Sequence, residues 1–420
     1  MVNIQGTISL PGDKSISHRA ALFSSFMPYK ARFTNFNHNE DCNATLDCLE
    51  SLGIAWQTDG QELVVQGIGI HDWKPPAYPL DARNSGTTAR LLSGILAALK
   101  FSSQLTGDAS LSKRPMGRVI EPLHLMGAHI SSQNNHLPLV FHPVSNLTGI
   151  RYQLPIASAQ VKSALLLAGL FSEGHTEVVE TTPTRDHTER LLKLDVIQNK
   201  DGSRSIFSSG NVAFEDISME IPGDFSSAAF FISAALMLPG SELLIKNVSL
   251  NPTRTAFLDV LKAMGAQIDV QVVRQNPEPV GNLFIKHSLL HNAPISADIV
   301  PNIIDEIPIL SILATQASGL LKLHGARELR FKESDRIRAV VSNLNRLGIQ
   351  IKEFDDGFAV EGPQEFHGGT IETFDDHRIA MSFAIANLLA KQEIILDNAD
   401  CVAVSFPSFF ELLSKITNKK

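Results

Sequence analysis

The chain is 420 residues long, with 44% hydrophobic residues, 19% charged residues and a formal net charge of −8 at pH 7. This length exceeds what one hydrophobic core usually serves, so we expect an ordinary globular protein of two or more domains. The negative charge and the lack of a long basic run argue against nucleic acid as a partner, whereas a small anion remains compatible with locally gathered cations.

Cysteine spacing and apolar runs exclude further classes. Cys42, Cys48 and Cys401 show neither a Cys-x-x-Cys spacing nor neighbouring histidines, so we expect no disulfide framework, no metal site and a cytoplasmic location. The N-terminal residues lack the basic and apolar segments of a signal peptide. Because polar residues interrupt every apolar run well before about 18 positions, no segment is expected to span a membrane.

A polar cluster recurs six times, roughly 65 to 80 residues apart, and each time it precedes an apolar, helix-like run. The clusters start at Leu10, Leu80, Leu154, Ile221, Ile299 and Phe374. A second motif, Leu-x-x-(Leu/Met)-Gly-(Ala/Ile), places glycine at a helix end in four repeats, at 49–54, 123–128, 261–266 and 344–349. The third repeat lacks this glycine around 191–197. Each unit is predicted to run strand, helix, strand, helix, strand, in an α/β fold.

The first cluster runs from Gly12 to Arg19 and opens a helix that we expect to begin near Ser15. The free N–H groups of a helix start attract anions, and Ser15 and Arg19 lie four residues apart on one face. Lys14 is predicted to lie just ahead of the helix. A capped, solvated helix start remains an alternative, and so does a P-loop, which the glycine spacing disfavours.

The second cluster combines Asn84, Gly86 and hydroxyl residues at another predicted helix start. Gly86 allows a ligand to approach the backbone closely, and Arg90 can brace the loop. Arg114 precedes a proline, which favours an extended backbone and a fixed guanidinium. The alternatives are a turn with hydroxyl caps and an ordinary surface arginine.

The third cluster supplies a hydroxyl and an amide, Ser158 and Gln160, at a further helix start. Arg185 follows in the same half and is expected to point inward, whereas Glu189 and Arg190 are expected on the solvated face. An exposed ion pair between Arg185 and a neighbouring carboxylate is the alternative.

The second half of the chain holds the acid–base candidates. Asp305 and Glu306 stand in an apolar stretch, where a buried charge needs a partner or a function. Lys332 and Arg336 are four residues apart, with Glu333 beside them, and are predicted to share one helix face. The alternative for this segment is a charged helix surface.

The sixth cluster, Asp376-His377-Arg378, opens a helix whose next residues are small and apolar. Arg378 is therefore not expected on a plain solvated surface, although a buried structural Asp–Arg pair is an alternative. Each alternative is reasonable for one cluster, but six clusters at equivalent positions of a repeat favour one shared cleft for anions.

Taken together, the motifs resemble the family of 5-enolpyruvylshikimate-3-phosphate (EPSP) synthases, or 3-phosphoshikimate 1-carboxyvinyltransferases. The resemblance extends from Gly6 to Leu413. Eight strings occur in order: Gly-Asp-Lys-Ser-Ile-Ser-His-Arg, Asn-Ser-Gly-Thr-Thr, Arg-Pro-Met, Ser-Ala-Gln-Val-Lys-Ser, Arg-Asp-His-Thr-Glu-Arg, Ile-Asp-Glu-Ile-Pro, Lys-Glu-Ser-Asp-Arg and Asp-His-Arg.

The resemblance implies a two-domain, inside-out α/β barrel with six βαβαββ repeats, three in each domain. Residues 12–225 would form the N-terminal domain, and residues 1–11 with 226–420 would form the C-terminal domain. The active site would lie in the interdomain cleft, and the first ligand would draw the domains together.

The resemblance also implies a reaction, the transfer of the enolpyruvyl group of phosphoenolpyruvate to the 5-hydroxyl of shikimate 3-phosphate with release of phosphate. Residues implied for shikimate 3-phosphate are Lys14, Ser15, Arg19, Ser158, Ala159, Gln160, Arg185, Asp305 and Lys332. Residues implied for phosphoenolpyruvate are Lys14, Gly86, Arg114, Gln160, Arg336 and Arg378. Supporting roles are implied for Asn84, Thr87, Arg90 and His377.

Carried over in the same way, Asp305 would be the base for the 5-hydroxyl and Glu333 the proton donor to the methylene carbon. Lys14 and the arginines would stabilise a tetrahedral intermediate. No metal or organic cofactor is implied. The expected partners are the two anionic substrates and the inhibitor glyphosate, bound by a monomer without nucleic acid or membrane.

Two residues depart from the family pattern. Arg83 stands where glycine is common before Asn-Ser-Gly, and Val404 stands where some members carry a lysine. One alternative is the sister family that uses UDP-N-acetylglucosamine, but its Lys-Asn pair and loop cysteine are missing here. Another is a non-catalytic ligand sensor, which would need neither the base nor the proton donor.

Overall fold

The computed structural model describes residues 2–210 and 214–419. The chain divides into two compact units. The continuous unit is Gly12–Ile221, and the discontinuous unit combines Met1–Pro11 with Pro222–Lys420. In the described residues, no helix has both the length and the apolar character needed to cross a membrane.

Strand β1 (Val2–Ser9) belongs to the discontinuous unit, and the chain then enters the continuous unit. Its helices and strands follow in chain order: α1 (Lys14–Ser25), β2 (Lys30–Thr34), α2 (Glu40–Ser51), β3 (Ala55–Asp59), β4 (Glu62–Gln66), β5 (Leu80–Asp81), α3 (Gly86–Leu96), β6 (Ser103–Thr106), α4 (Gly117–Leu125), β7 (His129–Gln133), β8 (His136–His142), β9 (Leu147–Thr148), β10 (Arg151–Gln153), α5 (Ala159–Gly169), β11 (Ser172–Glu173), β12 (His175–Glu180), α6 (His187–Leu192), β13 (Val196–Gln198), β14 (Arg204–Ser209) and β15 (Met219–Glu220).

The chain then returns to the discontinuous unit. The elements there are α7 (Phe225–Met237), β16 (Glu242–Ser249), α8 (Ala256–Ala263), β17 (Gln267–Arg274), β18 (Val280–Lys286), α9 (Val300–Ile303), α10 (Ile307–Gln316), β19 (Gly319–Leu323), α11 (Arg336–Arg346), β20 (Ile351–Phe354), β21 (Gly357–Gly362), β22 (Gly369–Ile371), α12 (His377–Asn387), β23 (Ile394–Leu396), α13 (Phe409–Ile416) and β24 (Thr417–Lys419). A short 3-10 helix, Arg327–Phe331, precedes α11.

The three four-stranded sheets of the continuous unit repeat one topology. In the continuous unit the strand orders are β15-β2-β4-β3, β5-β6-β8-β7 and β10-β12-β14-β13, with the first pair parallel and the others antiparallel. The predicted repeat and the α/β class are thus confirmed, and each four-stranded sheet has one strand more than the predicted repeat. The discontinuous unit contains β17-β18-β16-β1-β24, a shorter sheet β19-β21-β20 and the pair β22-β23.

The helix ends explain why the third repeat seemed irregular in sequence. Gly53, Gly127, Gly265 and Gly348 all have φ between 83° and 93°, the left-handed region that glycine enters without strain. In the third repeat Lys193 ends α6 with φ 51°. The turn therefore persists without its glycine, and the repeat keeps its geometry.

Each unit has its own hydrophobic core, and the helices that follow the polar clusters lie inside it. Nearly every residue of α5, α7, α10 and α12 is buried. Helices α3 and α5 approach so closely that a Cβ built on Gly94 would lie 2.1 Å from the Ala164 carbonyl oxygen. The bodies of these helices are mostly apolar, and their charged side chains lie in the first turns.

Candidate active site

Helix α1 begins at Lys14, one residue earlier than predicted. Asp13 caps it, since its carboxylate accepts a hydrogen bond from the Ile16 N–H at 3.0 Å. Lys14 is therefore part of the first turn and does not precede the helix. Its Nζ lies 2.8 Å from Oδ2 of Asp41. Asp41 cannot be identified from the sequence, because nothing local links the first turn of α2 to Lys14.

Side-chain caps recur at the other polar clusters. Ser85, Ser158, Asp224 and Asp376 accept backbone N–H bonds at the starts of α3, α5, α7 and α12. The alternative of a turn with hydroxyl caps is therefore confirmed for the second cluster, where Ser85 is the cap. It explains only the cap residues, and the cations and amides beside them have other contacts.

Five predicted residues are linked around the start of α3. Nη1 of Arg90 donates to Oε1 of Gln160 at 2.6 Å, and Nε2 of Gln160 donates to Oγ1 of Thr87 at 3.0 Å. Nη2 of Arg114 donates to Oδ1 of Asn84 at 2.7 Å. Arg114 has the extended backbone predicted from the following proline, with φ −80° and ψ 136°.

Gly86 lies among these side chains. A Cβ built on it would lie 2.9 Å from Nη1 of Arg90 and 3.5 Å from Nη1 of Arg114. A side chain here would therefore have to displace a guanidinium. The glycine lets two arginines approach the first turn of α3, where helix N–H groups already favour an anion.

Arg19 is buried and turned into the protein. Nε donates to Oγ1 of Thr188 at 2.8 Å, Nη2 to Oγ of Ser163 at 2.8 Å, and Nη1 to the Ser15 carbonyl at 3.0 Å. The guanidinium thus joins α1 to α5 and α6. It holds the backbone of Ser15, its predicted neighbour at the site.

A chain of hydrogen bonds connects the first three helices, and we call it the relay. It consists of His18, Thr45, Thr88 and Ser85. Nδ1 of His18 lies 2.7 Å from Oγ1 of Thr45, which lies 2.7 Å from Oγ1 of Thr88. Thr88 in turn contacts Oγ of Ser85 at 2.8 Å.

The ring of His18 is neutral under ordinary conditions. Burial lowers the pKa of His18 from 6.5 to about 3, and Lys14 and Arg19 act in the same direction against the opposing charge of Asp41. The folded protein therefore holds an uncharged imidazole where the unfolded chain can take up a proton.

Lys162 forms a buried ion cluster beneath the loop that carries Arg185. Its Nζ lies 3.0 Å from Oε2 of Glu180 and 2.6 Å from Oε1 of Glu189, and all three side chains are almost inaccessible. Glu180 also accepts from the N–H and hydroxyl of Thr184 at 3.0 and 2.8 Å. The loop before α6 is thus held by charge as well as by backbone.

One expectation for this segment needs correction. Glu189 was expected on the solvated face, and this is wrong because Lys162 draws its carboxylate into the core. Arg190 instead pairs with Asp186 at 2.9 Å. Lys162 belongs to the motif that suggested Ser158 and Gln160, and the sequence offered no sign that it would be buried.

In the discontinuous unit, one guanidinium contacts three carboxylates, and we call Asp305, Glu333, Arg336 and Asp376 the Arg336 cluster. Arg336 is 1% exposed. Its Nε lies 2.8 Å from Oδ2 of Asp376, Nη2 lies 2.6 Å from Oε2 of Glu333, and Nη1 lies 3.3 Å from Oδ1 of Asp305. The two predicted proton-transfer residues therefore contact the same cation.

Charge compensation within this cluster outweighs burial. Burial alone would lower the pKa of Arg336, but Asp376, Glu333 and Asp305 raise it above its ordinary value. Burial would likewise raise the pKa of Asp376, yet the guanidinium of Arg336 holds it below its usual range. The buried pair remains ionised because each partner stabilises the other's charge.

Further cations approach Asp305. Nζ of Lys332 lies 3.7 Å and Nε of Arg378 3.9 Å from its Oδ1, and Nη1 of Arg378 donates to its carbonyl at 3.1 Å. Helix α11 begins at Arg336, so Lys332 precedes it. The prediction that Lys332 and Arg336 share a helix face is therefore wrong, and they meet at Asp305 through the turn before α11.

Glu306, the second carboxylate of the fifth cluster, contacts a different network. It accepts a short hydrogen bond from the Ser226 hydroxyl at the start of α7. Nη2 of Arg254 donates to the same hydroxyl at 2.8 Å. The adjacent carboxylates of Asp305 and Glu306 therefore face different partners. His377, the first residue of α12, is buried beside Asp376.

The two residues that depart from the family pattern, Arg83 and Val404, have defined positions in the structure. Arg83 has φ 51°, a left-handed conformation in which glycine is unstrained, and its guanidinium pairs with Asp47 at 2.5 Å. Arg83 thus adopts a conformation that glycine would reach without strain, and it adds an exposed ion pair. Val404 is half-buried at the end of a 3-10 helix, Asp400–Val404.

The candidate residues of the two units differ in charge. Those in the continuous unit include five cations, Lys14, Arg19, Arg90, Arg114 and Arg185, and no carboxylate. Those in the discontinuous unit combine three cations with two carboxylates, Asp305 and Glu333. Within residues 2–210 and 214–419, no group of three or more His, Cys, Asp or Glu could hold a metal ion. The first set suits anion binding, and the second also offers proton transfer.

Comparison with known proteins gives one consistent result. A sequence model of the family EPSP synthase (3-phosphoshikimate 1-carboxyvinyltransferase) matches residues 1–413. The 3-phosphoshikimate 1-carboxyvinyltransferase of Salinibacter ruber is 45% identical, covering 99% of this chain and 97% of its own. That of Petrotoga mobilis is 47% identical with the same coverage.

Solved structures agree in fold. The EPSP synthase of Acinetobacter baumannii matches with a TM-score of 0.87 and 41% identity, over 100% of this chain and 98% of that chain. The enolpyruvyl transferase NikO of Streptomyces tendae matches with a TM-score of 0.77, over 99% and 96% of the two chains. At 17% identity, the second match shows a shared fold alone.

Replacing Lys162 should show how much its ion cluster contributes to the unfolding free energy. Lys162→Met keeps an unbranched side chain but removes the cation shared by the buried Glu180 and Glu189. Glu180 is left with the more distant Arg204 at 3.7 Å, so we expect a loss of about 3–5 kcal/mol in unfolding free energy. Urea denaturation measures it. The control is the triple variant Lys162→Met, Glu180→Gln, Glu189→Gln, which should recover most of the loss. Equal stability of the single and triple variants would show that charge is not the cause.

His18 should contribute a defined pH dependence to stability. Its folded pKa is about 3 and its unfolded value 6.5, so the unfolded state alone takes up the proton as pH falls between them. Stability from this group is complete above pH 6.5 and declines toward pH 3. From pH 7 to 5, the wild type should lose about 2 kcal/mol more than His18→Asn in urea unfolding. Parallel pH profiles would contradict a neutral buried ring.

Proposed function

The chain belongs to the EPSP synthase family, and we propose roles for individual residues in the reaction of that family. The protein transfers the enolpyruvyl group of phosphoenolpyruvate to the 5-hydroxyl of shikimate 3-phosphate and releases phosphate, a step of the shikimate pathway. The similar proteins named above do not favour the sugar-nucleotide alternative. One observation carries the assignment of roles, the shared contact of Asp305 and Glu333 with Arg336.

For phosphoenolpyruvate, we assign Gly86 and Arg114 in the continuous unit and Arg336 and Arg378 in the other. The support is the bare first turn of α3 with guanidinium groups close to it. Phosphate and carboxylate groups bind well to paired N–H donors of arginine. Lys14 and Gln160 complete this set, while Asn84, Thr87, Arg90 and His377 support it through neighbouring side chains.

For shikimate 3-phosphate, we assign residues at the starts of α1 and α5, together with Arg185, Asp305 and Lys332. Their hydroxyls, amides and cations match a ligand with one phosphate, one carboxylate and two hydroxyls. The set consists of Lys14, Ser15, Arg19, Ser158, Ala159, Gln160, Arg185, Asp305 and Lys332. Both units are proposed to contribute to the same reaction, because each set alone lacks either the carboxylates or most of the cations.

The proposed chemistry is an addition followed by an elimination. Asp305 takes the proton of the 5-hydroxyl group while the hydroxyl oxygen bonds to C2 of phosphoenolpyruvate. Glu333 protonates C3, which becomes a methyl group. Lys14 and the arginines stabilise the charge of the tetrahedral intermediate. Glu333 then removes a methyl proton while the C2–O bond to phosphate breaks. The proton on Asp305 leaves with phosphate or passes to solvent.

The same proposal extends to how the protein works in the cell. We propose a cytoplasmic monomer that needs no cofactor. The three cysteines, Cys42, Cys48 and Cys401, are buried. Burial raises the pKa of Cys48 to about 12 and that of Cys401 to about 11, so neither is activated as a nucleophile.

Conservative replacement of each carboxylate tests the proton-transfer roles. Asp305→Asn and Glu333→Gln keep size and hydrogen bonding but cannot exchange the proton, so kcat should fall by about 10²–10⁴-fold. Phosphate release with phosphoenolpyruvate and shikimate 3-phosphate measures it, with UDP-N-acetylglucosamine as parallel acceptor. The exposed Asp355→Asn is the matched control. Wild-type activity in either site variant would remove that residue from the proposal, and release with the sugar nucleotide would reassign the acceptor.

The proposal predicts that glyphosate, an anionic phosphonate, competes with phosphoenolpyruvate at Gly86. In Gly86→Ala the new methyl group meets Arg90 and Arg114, so both ligands should bind about tenfold more weakly, a change of about 1.4 kcal/mol. Inhibition kinetics at several phosphoenolpyruvate concentrations measure this. Gly210→Ala, whose Cβ would make only ordinary contacts at 3.5 Å, is the control. Inhibition that ignores phosphoenolpyruvate concentration would overturn it.

A further inference from the structure

The relay is shielded from solvent along its whole length. Its four side chains, His18, Thr45, Thr88 and Ser85, are each at most 3% exposed. They come from three helices and the residue that caps one of them, and the longest of the three links is 2.8 Å. Hydrogen bonds of this length in a dry interior are strong and directional, so they restrict the relative positions of the helices.

Both ends of the relay adjoin residues of the proposed site. His18 lies one turn after Lys14 on α1. Ser85 caps α3 by accepting the Thr88 N–H at 3.1 Å and directly precedes Gly86. The Thr88 hydroxyl also approaches the carbonyl of Asp41 at 3.3 Å, and the Asp41 carboxylate pairs with Lys14. The relay therefore joins the two helix starts that carry Lys14 and Gly86.

The position of one proton gives the relay a direction. In the described part of the chain, Nε2 of His18 has no hydrogen-bond partner, whereas Nδ1 faces Thr45. A buried N–H without an acceptor is costly, so the single proton of the neutral ring belongs on Nδ1. His18 then donates to Thr45, Thr45 to Thr88, and Thr88 to Ser85. Ser85 Oγ accepts twice from Thr88, through its hydroxyl and its N–H.

We propose that Thr45 is a positioning residue, which through the relay fixes the start of α3, and with it Gly86, relative to Lys14. Thr45 is not itself assigned to a substrate, and its hydroxyl bonds to His18 and Thr88, the two residues through which it acts. Since Gly86 is assigned to phosphoenolpyruvate, this inference rests on the proposed function and adds a determinant of affinity for that substrate.

The test compares two variants of Thr45 with a matched control. Thr45→Val keeps the shape and removes the hydroxyl, and Thr45→Ser keeps the hydroxyl and removes the methyl group. Thr176→Val changes another fully buried threonine of the same unit, one whose Oγ1 has no hydrogen-bond partner among the described residues. Steady-state kinetics with both substrates and hydrogen exchange of the free protein are measured for each.

Thr45→Val should raise KM for phosphoenolpyruvate about tenfold, the effect of one lost hydrogen bond, with kcat and KM for shikimate 3-phosphate within about twofold. In the free protein, amides of 86–90 should exchange about tenfold faster. Thr45→Ser and Thr176→Val should match the wild type in both measurements. Should Thr45→Val fail to fold, Thr88→Val breaks the same chain and carries the same expectation.

Three outcomes would overturn the proposal. Thr45→Val and Thr176→Val could behave alike, Thr45→Ser could share the defect of Thr45→Val, or kcat and both KM values could shift together, as general destabilisation would cause. If the wild type does not turn over these substrates, the proposed function fails. The exchange of 86–90 then still decides whether the relay fixes the start of α3.

Discussion

The buried ion pair between Arg336 and Asp376 is the interaction on which the acid–base candidates of the discontinuous unit depend. Moving either charge from water into a protein interior is strongly unfavourable unless its partner and further hydrogen bonds compensate. Here Asp376 compensates through two oxygens, at 2.8 and 3.3 Å, and Ser334 donates to it at 3.0 Å. With Asp376 holding one edge of the guanidinium, the remaining N–H groups point at Asp305 and Glu333. The two proton-transfer candidates come from different segments and are aligned by one rigid, planar cation.

In the continuous unit, other ion pairs compensate the charged groups. Lys162 neutralises Glu180 and Glu189 beneath the loop of Arg185, and Asp41 pairs with Lys14. These pairs hold the cations in position before any ligand arrives. Catalysis by charge stabilisation depends on such preorganisation, because groups already in place need not reorganise during the reaction. The apolar helix bodies provide the rigid support, and the helix starts provide the polar groups.

Sequence reasoning recovered what depends on local pattern. The repeat, the capped helix starts, the extended backbone of Arg114 and the need for glycine at position 86 all follow from short-range rules. Local patterns do not predict the position of a side chain whose partner is distant in the sequence. The sequence predicts Glu189 on the surface, but its carboxylate pairs with the buried Lys162. The sequence likewise predicts Lys332 on a helix, but α11 begins only at Arg336. Asp41 and Thr45 could not be identified, because their partners lie on other helices and no motif marks them.

Deuterium labelling tests the central claim, an addition–elimination reaction with Glu333 as the proton donor. The wild type is incubated with phosphoenolpyruvate and shikimate 3-phosphate in D2O, and the methylene group of the product is examined by NMR. A transient methyl group must place deuterium at that carbon, and Glu333→Gln should slow labelling together with phosphate release. A product free of deuterium would contradict the account, because it would mean that the methylene carbon is never protonated.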